Sequence, residues 1–150
     1  MSDFMGTHRN RLDRKGRVSV PALFRASLAR LGSNDLVLRP SHKAACIDVW
    51  TRQQMDAAAP QVNRMDLFSD DADVAAAVLF ADAFPTSPDT EGRVILPESL
   101  IAHAGLEKDT EILFLGLGFT FAIWKEAEGL AWLAELRARA RTQNLTVPRA

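Results

Sequence analysis

A chain of 150 residues that is 47% hydrophobic and 25% charged, with a net charge of −1, suits one compact domain or two small fused lobes. Its single cysteine, Cys46, excludes an intrachain disulfide framework, and no apolar run is long enough to span a bilayer. The first residues lack a basic-then-apolar leader, so a cytoplasmic location is expected.

In chain order, residues 7–12 suit an extended strand, and Asp13 to Gly16 a turn in which Gly16 is free to take a positive φ. Val18-Ser19-Val20 is a short β-branched strand. Pro21 then opens a helix with Leu23, Phe24, Ala26, Leu28 and Leu31 on its buried side and Gly32 as its stop. Strands are expected at Leu36-Val37-Leu38 and Ile47-Asp48-Val49-Trp50, with residues 40–43 looping between them and a short helix following through Met55. Ser69 reads as the N-cap of a helix with Asp70, Asp71 and Asp73 in its first turn and Val74, Val78 and Ala81 as its apolar stripe. Phe84-Pro85-Thr86-Ser87-Pro88 breaks it. Strand Val94-Ile95-Leu96, a helix from Pro97 to Gly105, and strands 112–115 and 119–124 follow, the last two meeting at Gly116-Leu117-Gly118. A final helix, from about Lys125 to Arg141, is expected to bury Leu130, Leu133 and Leu136, ahead of a polar, frayed tail.

The chain also says one thing twice. Asp13-Arg14-Lys15-Gly16-Arg17-Val18-Ser19-Val20-Pro21 returns as Asp89-Thr90-Glu91-Gly92-Arg93-Val94-Ile95-Leu96-Pro97, in register at an offset of 76. Each copy leads to a strand closed by a tryptophan, Trp50 or Trp124. A fixed offset of this size indicates a duplicated half-domain whose two copies complete each other's core.

Catalytic and metal chemistry find no constellation. His8, His42 and His103 lie far apart and in no metal-ligand spacing with Cys46, which reads as a buried, inert thiol. Gly116-Leu117-Gly118 lacks the third glycine of a dinucleotide loop and is better read as a hairpin turn. The aspartates at 70, 71 and 73 are better read as a solvated helix start than as a cation site, and Arg137, Arg139 and Arg141 as complementing a helix C-terminus. No catalytic residue, cofactor, metal or small-molecule ligand is inferred.

Charge distribution gives the sharper signal. Residues 8–17 carry Arg9, Arg11, Arg14, Lys15 and Arg17 against Asp13, a balance of +4, whereas residues 66–91 carry seven carboxylates and no cation. One pole should therefore attract polyanions. In each doubled loop the Asp can bond the following amides, the Gly can supply the special dihedral and the Arg can pair with the Asp or cap a strand. That accounts for the turn but not for the cations around the first copy. Alternation places Arg9 and Arg11 on one face of a strand, and a two-stranded ribbon fits the DNA major groove. Arg9, Arg11, Arg14, Lys15, Gly16 and Arg17 are thus the candidate DNA-binding residues. The second motif, Asp89, Gly92 and Arg93, has Thr90-Glu91 in place of Arg14-Lys15, which favours a structural or oligomer-facing role or a weaker DNA contact.

These residues resemble the MraZ family, bacterial transcriptional regulators of the division and cell-wall gene cluster. The resemblance rests on Leu12-Asp13-Arg14-Lys15-Gly16-Arg17 with Val20-Pro21, on Asp89-Thr90-Glu91-Gly92-Arg93 with Leu96-Pro97, and on the tryptophan closing each unit, over roughly residues 4–141. It implies an α+β fold: a duplicated AbrB-like swapped-hairpin β-barrel with flanking helices. Its repeats would span 4–60 and 84–141, joined by an acidic, Ala-rich connecting helix over 61–83, with 142–150 as a disordered tail. It further implies a ring-like homo-oligomer, nucleoid-associated in the cytoplasm, that represses its operon by binding repeats in promoter double-stranded DNA. The alternative is an AbrB-type interaction module, antitoxin or scaffold, whose basic loop binds an acidic partner protein.

Overall fold

The computed structural model describes residues 3–64, 66 and 68–143. The chain is α+β, with a mostly antiparallel sheet and helices on its surfaces. Its strands are β1 (Thr7–Leu12), β2 (Arg17–Ser19), β3 (Leu36–Pro40), β4 (Ile47–Thr51), β5 (Phe84–Thr86), β6 (Arg93–Ile95), β7 (Thr110–Gly116) and β8 (Phe121–Lys125). The helices are α1 (Ala22–Leu31), α2 (Arg52–Asn63), α3 (Asp70–Ala76), α4 (Glu98–His103) and α5 (Glu126–Thr142), with a π-helical turn at Ala77–Ala81 extending α3.

Six strands form one sheet in the order β1-β7-β8-β4-β3-β5, and β2 pairs with β6 as a separate two-stranded ribbon. The hydrogen-bonded sheet does not close among the described residues, so the barrel implied by the family resemblance is replaced by an open sheet with a ribbon beside it. The physical reason lies in the edges: β1 and β5 each have one partner strand, and neither joins the other to complete a ring.

The doubled sequence becomes a doubled topology in which pairing crosses between the halves. Arg9 stands opposite Leu113 and Pro85 opposite Val37, equivalent pairs once the offset of 76 is applied. In the ribbon Arg17 pairs with Ile95 and Ser19 with Arg93, so the Val18–Val94 pair marks the local axis of exchange. Phe4, Leu12, Val18, Phe24, Leu28, Val94, Leu96, Leu100, Phe114 and Phe121 share one buried cluster, to which both halves contribute. On the other face of the sheet Leu113, Leu115, Ala122 and Trp124 pack with Trp132 and Leu133 of α5. Along β7 burial is continuous from Ile112 to Leu115, as two covered faces require.

Local signals explain many of the boundaries. Pro21 precedes α1 with φ −51°, and Gly32 closes it in the left-handed region at φ 80°. The Ser69 hydroxyl accepts from the Ala72 amide at 3.1 Å, capping α3 above its three aspartates. Leu117 N donates to Thr120 O, turning the β7–β8 hairpin at the expected glycines.

Several expectations are corrected. The segment 84–86 is a strand rather than only a break: its Pro85 is tolerated because β5 lies at the sheet edge with β3 as its sole partner. The helix after β4 runs to Asn63, well past Met55. In α1, Leu23 and Ala26 are exposed, and Phe24, Ser27 and Leu28 supply the buried side. Val74 and Ala81 are exposed and Ala72 is buried instead. Leu130 is also exposed; α5 approaches the sheet through Gly129, where a Cβ would come within 2.6 Å of Leu113 Cδ2 and 2.8 Å of Trp124 Cβ. The frayed tail expected from 142 lies outside the described residues from 144 onward.

Candidate nucleic-acid interface

The two Asp-x-x-Gly-Arg loops fold alike. In the first, Asp13 Oδ1 accepts from the Lys15 amide at 2.9 Å and the Arg17 amide at 2.8 Å, while Arg17 Nε donates to Asp13 Oδ2 at 2.8 Å. In the second, Asp89 Oδ1 accepts from the Glu91 and Arg93 amides at 2.9 Å each, and Arg93 Nε donates to Asp89 Oδ2 at 3.0 Å. Gly16 and Gly92 both take φ 79°, a left-handed conformation that L side chains adopt only with strain. The amides of Arg17 and Arg93, followed by the other loop donors, hold the Asp13 and Asp89 carboxyls below their ordinary value of 3.8.

Each loop is also held by the opposite half. Val20 N donates to Gly92 O and Leu96 N to Gly16 O, both at 2.8 Å. Gly92 is covered by the Arg25 side chain, whose Nε donates to Val20 O at 3.1 Å. Within the ribbon Val18 and Val94 face the core, so Arg17, Ser19, Arg93 and Ile95 share the outward face. The two motif arginines therefore lie on one surface, two residue steps apart along the ribbon.

The candidate residues differ in how free they are. Arg9 and Arg11 are both exposed on β1, as alternation predicts. Arg9 pairs with Glu126 and Arg14 with Asp109, each at 2.9 Å. Asp109 is the only non-glycine with positive φ among the described residues (64°), a conformation Asp tolerates better than most side chains. For Arg11 and Lys15 no ion pair occurs among the described residues. Arg17 offers Nη1 and Nη2 beyond its bond to Asp13, whereas Arg93 Nη2 is held by Glu91 Oε2 at 3.1 Å. The β1 cations have no counterpart in the second half, where Phe84 and Pro85 of β5 and Ser87 just after it stand at the positions of His8, Arg9 and Arg11.

Sequence reasoning missed the residues that steady this surface. Asn10 Nδ2 donates to Ser19 O at 2.7 Å, tying β1 to the ribbon. Asp109 and Glu126 lie 95 and 117 residues from the arginines they hold, a separation at which no local pattern operates. Among the described residues no group of three His, Cys, Asp or Glu side chains could hold a metal ion, and no helix is long and apolar enough to cross a membrane.

The architecture defines a class: an α+β protein of two equivalent halves that meet in an arginine-bearing β-ribbon. The family model described as "MraZ protein, putative antitoxin-like" matches residues 4–77 and 79–146. A relative from Gluconacetobacter diazotrophicus named "Transcriptional regulator MraZ" is 48% identical over 99% of this chain and 93% of its own length. Proteins of the same name from Gluconobacter oxydans (48% identity, 95% of this chain, 87% of the relative) and Rickettsia bellii (36%, 92% and 91%) match as well. The chain belongs to the MraZ family. Among solved structures, the solution structure of PHS018 from Pyrococcus horikoshii aligns over 82% of this chain and 96% of that chain with a TM-score of 0.34 and 16% identity, a likeness too loose to carry the fold.

Proposed function

We propose that this protein is a transcriptional regulator that binds promoter DNA through its ribbon and first loop, and that it represses the division and cell-wall operon. Arg9, Arg11, Arg14, Lys15 and Arg17 are the proposed DNA-facing cations, with Gly16 shaping the loop that carries them. The observation that carries the reading is the placement of Arg17 on the outward face of a two-stranded ribbon, with two guanidinium nitrogens free of protein partners among the described residues. A ribbon enters the major groove, and a guanidinium fork matches guanine O6/N7 or a phosphate. The names of the relatives support the same reading. Arg9 and Arg14 would exchange their carboxylate partners for phosphates, and Asp89, Gly92 and Arg93 would serve mainly to hold the ribbon.

The working form proposed is a homo-oligomer whose protomers, each a pair of AbrB-like swapped-hairpin units, meet successive promoter repeats, placing the protein on the nucleoid in the cytoplasm. Modest affinity per protomer would then be raised by tethering. The test is a salt series on operator fragments carrying one, two and three repeats. Log affinity falls with log salt by about 0.9 per phosphate neutralised, so one protomer's five cations limit the slope to about −4 to −5. A slope that steepens with repeat number is the expected result. A slope indifferent to repeat number would remove the multivalent form, and equal affinity for random DNA would remove sequence-specific repression. An acidic partner protein competing away all operator binding would favour the interaction-module alternative.

A further inference from the structure

A cleft of about 890 Å³ opens where the β3–β4 end of the sheet meets α5. That is the size of a small-molecule pocket. Arg39 is one of its lining residues, only 6% exposed, with Nε and Nη1 buried and without a hydrogen-bond partner among the described residues. Its guanidinium carbon stands 4.9 Å from the centre of the Trp50 ring. Asp48 is its cross-strand neighbour, yet no Arg39–Asp48 ion pair forms within 4.0 Å among the described residues. Trp124, 4% exposed, also lines the cleft, and its buried indole Nε1 is a second donor without a hydrogen-bond partner among the described residues. Trp132 of α5 packs on Trp124 with ring centroids 5.2 Å apart. Lys43 adds a cation to the lining, while Arg139 is already engaged by Glu135 at 2.8 Å.

Buried N–H donors are almost always hydrogen-bonded, and a cleft lined by side chains whose donors lack acceptors suits a ligand that supplies one. An anionic oxygen is the acceptor that suits such a donor best, since hydrogen bonds between charged partners are the strong ones. Three indoles around it favour a flat, polarisable body. We propose that this cleft binds a small molecule bearing an oxyanion, carboxylate or phosphate, on an aromatic ring. Arg39 and the Trp124 N–H hold the oxyanion, and Trp50 and Trp132 flank the ring. Lys43 steers the charged ligand inward. The site lies on the sheet and α5 rather than on the ribbon, so it stands independently of the DNA-binding reading.

The molecule supplies its own probe. The chain has three tryptophans and no tyrosine, and all three tryptophans line this cleft. Intrinsic emission of the full-length protein is titrated with phenyl phosphate, benzoate, benzamide and inorganic phosphate, with calorimetry as a second readout. Saturable binding is expected for at least one of the two aryl oxyanions, and comparison of the two tells phosphate from carboxylate. Loss of a charge-assisted hydrogen bond should weaken binding about tenfold or more in Arg39→Met, and neutral benzamide should suffer a similar loss against wild type. Trp124→Phe keeps an aromatic ring, though a smaller one, removes the indole N–H and should weaken binding severalfold; with Lys43→Gln it carries the test if Arg39→Met does not fold. Three outcomes would overturn the proposal: no saturable change with either aryl oxyanion, undiminished affinity in the folded variants, or benzamide binding as tightly as benzoate. Inorganic phosphate binding as tightly as phenyl phosphate would overturn the aromatic half of it.

Discussion

Glu91 Oε2 lies 3.1 Å from Arg93 Nη2, and nothing equivalent restrains Arg17, because Lys15 occupies the matching position in the first loop. Of the two residues exchanged between these loops of like geometry, it is Glu91 for Lys15 that bears on the arginine. Arg93 is bound on two sides by carboxylates, Asp89 and Glu91, and presents less free charge to a polyanion. Arg17→Ala should therefore abolish operator binding, each lost bidentate contact costing about 1–3 kcal/mol and the loss multiplying over engaged protomers. Arg93→Ala should cost much less, and Glu91→Lys should strengthen binding above wild type. Mobility-shift titrations of variants with unchanged circular dichroism decide it. Equal losses in the two alanine variants would place both loops on the DNA.

Gly92 and Gly32 share nearly the same backbone, φ 79° and φ 80°, but not the same surroundings. A Cβ at Gly32 meets nothing within 4 Å, whereas one at Gly92 comes within 2.5 Å of Arg25 Cδ. Gly32→Ala should cost about 1–2 kcal/mol for the left-handed conformation alone. Gly92→Ala should cost about 1 kcal/mol more, because Arg25 must give up its bond to Val20 O. Urea melts of the two variants give the difference directly, and matching midpoints would show that Arg25 yields without loss.

The acid arm of stability should carry the signature of the loops. The Asp13 and Asp89 carboxyls, drawn below 3.8 chiefly by the Arg17 and Arg93 amides, contribute stability that is whole above 3.8 and fades as pH falls through their lower folded values. Asp48 has the opposite sign. Burial raises it, against the pull of Arg39, His42 and Lys43, so its ionisation costs stability at neutral pH and protonation relieves that cost. Asp13→Asn and Asp89→Asn should flatten the fall in stability below pH 3.8, whereas Asp48→Asn should remove a gain in stability that accompanies acidification toward pH 3.8 from above, in melts recorded against pH.

Cys46 should be silent toward thiol reagents. It is 3% exposed, and burial, with the neighbouring Asp48 charge, pushes its thiol up to about 12. The thiolate needed for reaction is therefore scarce through pH 9, and labelling must wait for opening of the β4 strand. An aromatic disulfide reagent should label the native protein only slowly, and one thiol per chain rapidly after denaturation. Fast native labelling would mean that the start of β4 is open.

What could be read from the residues was what is local. The Asp-to-amide loop bonds, the Pro21 and Gly32 limits of α1 and the β7–β8 turn all depend on neighbours within a few positions, and the repeat at an offset of 76 needs only the chain compared with itself. Strand β5 was hidden because Pro85 signals a break unless the strand is known to be an edge. The expected burial of Leu23 and Leu130 failed because helical periodicity gives a stripe without saying which side the sheet will meet. For the proposed interface, the loop geometry was legible; the hold of Asp109 on Arg14 and Glu126 on Arg9 was not, since tertiary folding alone brings them together. The Arg39 cleft was equally hidden, its walls coming from β3, β4, β8 and α5.

The crossed bonds from Val20 to Gly92 and from Leu96 to Gly16 bear on how such a chain can be divided. Neither half holds the acceptor for its own strand, so a polypeptide carrying one repeat would finish its loop only by recruiting another molecule. Duplication within one gene turns that encounter into an intramolecular event, independent of protein concentration. Severed in the acidic segment before β5, the two pieces should behave as complementary fragments, each incomplete alone and re-forming both loops together when mixed.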